Sequence, residues 1–134
     1  FIVLFFPVFC HAGEVEYLCE VVETYIKGGS NTKKSTNYTL FLDQERSTVS
    51  GFLPAWLTNG YPDRPVVLSR KDTQWSFQSH DLKSKYHAYD ATFILQMSSP
   101  ITLYAQHIFY KDAKHQVIGD TTLIEGTCSL VFDR

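Results

Sequence analysis

Residues 15–26 read VEYLCEVVETYI, and residues 121–132 read TTLIEGTCSLVF. In an extended chain successive side chains alternate between two faces. A strand over the first stretch puts Val15, Tyr17, Cys19 and Val21 on one side. A strand over the second puts Ile124, Cys128, Leu130 and Phe132 on one side. Each cysteine falls among apolar neighbours. That is the pattern expected if these two strands lie side by side and Cys19 bonds to Cys128. Closing a loop of roughly 100 residues stabilises a fold by about 4–5 kcal/mol in the chain-entropy account, less if the bond is strained. Two buried free thiols are the alternative reading.

The third cysteine, Cys10, reads differently. Phe1 to Phe9 are apolar apart from Pro7. A membrane-spanning helix needs about 20 such residues, whereas the core of a secretory signal needs about 7–15. Cys10 and Ala12 place small side chains before a cut after Ala12, and a polar run begins at Gly13. We therefore expect residues 1–12 to be the remnant of a signal peptide. Residues 13–134 then form one exported domain, periplasmic or secreted, and Cys10 leaves with the signal. A first strand over the apolar run is the competing reading.

Between the two outer stretches the sequence is β throughout. Runs rich in β-branched and aromatic residues recur near 36–42, 47–53, 65–69, 73–79, 86–97 and 100–110, and the last strand begins near 116. KGGSNTKKS, LDQERS, TNGYPDRP, SRKDTQ, MSSP and YKDAKHQ read as the turns and loops between them. LPAWLTNGY and HDLKSKYH are each compatible with one helical turn, but no longer stretch keeps a helical period. Over 100–110, Ile101, Leu103, Ala105, His107 and Phe109 share a face, and the opposite face is mixed. The expected fold is all-β: one small antiparallel barrel or sandwich of about eight strands in a meander. A disulfide between the first and last strands would hold it closed.

Composition narrows the function. The net charge of −2 and scattered lysines and arginines carry no nucleic-acid signature. No second apolar run is long enough to span a membrane as a helix. The chain lacks Cys-x-x-Cys, His-x-x-x-His and Gly-x-Ser-x-Gly. His87, Asp90 and His107 can be drawn as a metal site. However, His87 and Asp90 are three apart and face opposite sides of one strand. Asp43, Glu45, Asp63 and Asp72 fall in turns, where acids are common. No catalytic group, metal or cofactor is therefore assigned. Asn37-Tyr38-Thr39 matches the N-glycosylation acceptor pattern.

The stretch GFLPAWLTNGYPDRP is long and apolar for a loop, and Phe52, Trp56, Tyr61 and Arg64 have the composition of a protein-binding patch. The same loop could instead fold back and plug one end of the barrel. Trp75, alternating with Phe77, reads as core. The expected function is non-enzymatic binding of another protein, of the inhibitor, immunity or envelope-accessory kind. The alternative is a carrier for a small apolar ligand, with a barrel cavity lined by Phe93, Leu95 and Leu103. In outline, Tyr17-Leu18-Cys19 and Gly126-Thr127-Cys128 resemble the frame of the small periplasmic inhibitors of C-type lysozyme. The resemblance covers these six residues. Ser50-Gly51 leads into Phe-Leu-Pro rather than towards a Tyr, so no inhibitory residue is carried over.

Overall fold

The computed structural model describes residues 14–51, 65–84, 87–112, 114 and 116–133. They form nine strands: β1 (Glu14–Lys27), β2 (Ser30–Asp43), β3 (Thr48–Gly51), β4 (Val66–Val67), β5 (Ser69–Lys71), β6 (Gln74–Ser84), β7 (His87–Gln96), β8 (Ile101–Tyr110) and β9 (Ile118–Asp133). Their order in the sheet is β4-β3-β2-β1-β9-β8-β7-β6-β5, and every pairing is antiparallel. The two edge strands, β4 and β5, are separated in sequence by Leu68 alone. One short segment thus pairs with β3 through its first half and with β6 through its second. Leu68 N–H donates to the Ser47 carbonyl at 2.7 Å. The Arg70 guanidinium donates to the Gln44 carbonyl at 3.1 Å. These bonds bring the sheet round into a nearly closed barrel.

The first and last strands lie side by side, as expected. Cys19 sits opposite Cys128, their Cα atoms are 3.9 Å apart, and the two are joined in a disulfide. The bond points to an oxidising environment. The face predicted for β1 is the inner one: Val15, Cys19 and Val21 are buried, and Tyr17 packs against the core. On β9 the expected face holds from Ile124 to Cys128 and then fails, for Leu130 is 57% exposed. A register shift pairs Tyr17 with Leu130 and Glu16 with Phe132, leaving Val131 as the extra residue. Pairing with β8 has also ended, at Ile101 opposite Cys128.

Two sequence readings need correction. KGGSNTKKS is not a linker. Lys27 pairs with Ser30, so Gly28-Gly29 alone makes the turn, and Ser30 onward is strand. Both glycines have positive φ, 55° and 86°. That conformation twists a two-residue turn to match its flanking strands, and it favours glycine at both positions. Residues 80–84, part of a stretch compatible with one helical turn, continue β6. LPAWLTNGY, the other such stretch, lies outside the described residues. The ninth strand arises where the expected run 65–69 splits at Leu68 into β4 and β5.

Phe93, Leu40, Leu42, Ile124, Val49 and Cys19 are the largest fully buried side chains. Trp75, Leu95, Leu103, Ala105, Val66, Leu68, Val21 and Cys128 complete one core cluster with them. Burying each large apolar side chain contributes about 1.5–3 kcal/mol. Trp75 is core, as its alternation predicts, and the Arg70 guanidinium lies 4.0 Å over its ring.

Candidate functional site

β2 is much longer than its outer neighbour. β3 pairs only with Leu40–Asp43, so among the described residues Ser30–Thr39 has no strand on its outer side. Likewise β5 pairs only with Gln74–Ser76 of β6. The barrel is therefore closed around one half of its length and open along the other.

The inner face changes character at the same level. Above it stand Phe93, Ile124 and Leu40. Below it the same alternation brings Glu23 and Tyr25 from β1, Lys34 and Thr36 from β2, Thr122 from β9 and His107 from β8 to the inner side, while Tyr38, opposite Cys19, packs against the edge of the core. Two phenols donate to carboxylates across strands. Tyr25 donates to Asp120 Oδ2 at 2.9 Å, and Tyr38 donates to Glu23 Oε2. Tyr89 and His107 hold their rings 5.4 Å apart. On the other face Tyr110 donates to Asp90 Oδ2 at 2.8 Å.

These pairs set the protonation of the tyrosines. Burial pushes the Tyr38 phenol well above its usual range, and the Glu23 hydrogen bond adds to the shift. The hydrogen bond to Asp120 raises Tyr25, and that to Asp90 raises Tyr110. All three phenols stay protonated and act as donors. The open half thus presents aromatic rings beside carboxylates already engaged by hydroxyls. Such a surface offers aromatic rings for contact and polar groups for hydrogen bonding.

The structure does not bring the histidines and Asp90 together as drawn from sequence. His107 lies between Ala91 and Thr122, the backbone of His87 pairs with Ser84, and Asp90 is bonded by Tyr110. Among the described residues no group of three or more His, Cys, Asp or Glu is placed to hold a metal ion. Cys128 is tied to Cys19, so it offers no thiolate. Among the described residues no helix is long and apolar enough to cross a membrane. Phe52, Trp56, Tyr61 and Arg64, and the signal-like residues 1–12, lie outside the described residues.

Sequence reasoning missed Glu23, Tyr25, Tyr38 and Asp120 as a set. The available signal was Gly28-Gly29. Read as a two-residue turn, it extends both flanking strands and carries their alternation past the core. Compared with known protein families and with characterised proteins, the sequence matches none.

Proposed function

We propose that this chain is an exported, non-enzymatic binding domain that engages another protein through the open half of its barrel. One observation carries the reading. Phe93, Leu95 and Leu103, the residues a ligand cavity would need as its walls, pack into a single cluster with Leu40, Leu42 and Ile124. The closed half is filled by its own side chains. Among the described residues, the tyrosine-lined half is the surface left for contact. Tyrosines supply large contact area at low entropic cost and recur at the energetic centres of protein interfaces. Export is supported by the disulfide and by the signal-like start.

Native mass spectrometry of the oxidised protein, beside the same sample denatured, separates this reading from a carrier. A bare native chain is expected. Extra mass lost on denaturation would replace the module with the carrier. A partner captured by the wild type should be released by Tyr25→Ala combined with Asp120→Asn while the melting temperature holds. Undiminished capture by that variant would move the surface elsewhere.

A further inference from the structure

We propose that Asn37 carries an N-linked glycan on the outer face of β2. Asn37-Tyr38-Thr39 is the one Asn-x-Ser/Thr in the chain. The structure adds what the pattern alone lacks. Asn37 and Tyr38 alternate, so Tyr38 turns inward to bond Glu23 while Asn37 is exposed on the outside. A sugar there meets no core side chain.

The neighbourhood has room for it. Asn37 stands opposite Glu20, at the side of an open groove of about 460 Å³ lined by Glu20, Val21, Val22, Ser35, Thr36 and Asn37. Val22 is 43% exposed there, giving the apolar face of a sugar ring a place to rest. The position also lies on the stretch of β2 that β3 does not reach. A bulky, hydrated group on such an edge hinders strand-to-strand association of copies. The Cys19–Cys128 bond points to an oxidising environment, a property shared by the compartment where such glycans are added.

The chemistry is a group transfer without redox change. The donor is a polyprenyl-diphosphate-linked oligosaccharide, and the catalyst is a transferase of the compartment. The Asn37 amide nitrogen forms a bond to the anomeric carbon, the bond from that carbon to the diphosphate oxygen breaks, and the amide gives up one proton. The Thr39 hydroxyl is the feature the transferase reads.

The test uses the full chain secreted by a eukaryotic cell. Its intact, non-reduced mass is measured before and after treatment with peptide N-glycosidase. We expect a glycan mass that the enzyme removes completely. Peptide mapping in heavy-oxygen water should then show labelled Asp at position 37. Asn37→Gln and Thr39→Ala should abolish the added mass, and Thr39→Ser should keep it. The peptide map reads the wild type directly, so it stands even if a variant fails to fold. A chain with the disulfide formed but Asn37 unmodified overturns the proposal.

Discussion

Gly126 shows how tightly single residues are specified. It lies in β9 opposite Val21, where an added Cβ would come within 2.1 Å of the Glu20 carbonyl oxygen and 2.7 Å of the Val21 Cα. Both contacts are backbone, so no side chain can swing aside. Gly126→Ala should therefore lower stability by about 1–3 kcal/mol, the usual range for overpacking. A urea midpoint shift at constant slope would measure it. Tyr38 makes a different prediction, in pH. Burial and Glu23 raise its folded value above the ordinary 10.0. Its contribution is therefore complete below about pH 10 and is lost as pH rises through the folded value. Tyr38→Phe should unfold with a flatter pH dependence above pH 10, and identical alkaline curves would show that the phenol is not responsible. None of this was legible from the sequence at Gly126, because a strand glycine signals close approach only once its neighbour is known. At Cys19 and Cys128 it was legible, because two cysteines on apolar faces of the outermost strands have few other ways to be buried.

Among the elements, the long hairpin of β1 and β2 departs most from its sequence reading. Ser30, Asn31, Lys33 and Lys34 are poor strand formers, and they disguise the six residues of regular pairing from Ser30 to Ser35. They extend because β1 supplies a ready partner, and a partner outweighs intrinsic preference in a sheet. The turn that permits this should be sensitive. Gly29→Val places a β-branched residue at φ 86° and should cost about 1–2 kcal/mol, read from the same urea titration. The link between β8 and β9 is held by an acid. Asp112 Oδ1 accepts from Val117 N–H at 2.9 Å and from Gln116 N–H at 3.1 Å. These backbone donors, Val117 first, pull the Asp112 carboxyl below its usual 3.8. Its contribution is present above that value and fades as pH falls through the depressed one. The protection factor of the Val117 amide should fall below pH 4 more than that of Ala105, and Asp112→Asn should remove the difference. Equal acid sensitivity at both amides would assign the effect to global loosening.

At the scale of the molecule, the disulfide joins the ends of a meander whose other contacts are mostly between sequence neighbours. A Cys19→Ala, Cys128→Ala double variant should lose about 2–5 kcal/mol, measured by denaturant unfolding against the oxidised parent. The antiparallel all-β class, barrel or sandwich, the strand count to within one, and the closing bond were readable because alternation and turn chemistry are local signals. The open half was not. It depends on β3 and β5 being far shorter than β2 and β6, and strand length mismatch is set by tertiary pairing. The pair Tyr25–Asp120 was hidden for the same reason, since it joins β1 to β9, whose register only the assembled sheet defines; Tyr38–Glu23 was hidden only by the unread Gly28-Gly29 turn.

The place of β1 in the sheet carries a consequence for synthesis. Its neighbours are β2, which follows at once, and β9, the last of the nine described strands. As the chain emerges from a ribosome, Val15, Cys19 and Val21 have half of their cover within a few tens of residues and wait for the rest until residues 118–133 appear. Contacts separated by 109 positions cannot form earlier. A nascent chain stalled before β9 should therefore hold a hairpin with one apolar face bare, a target for chaperones.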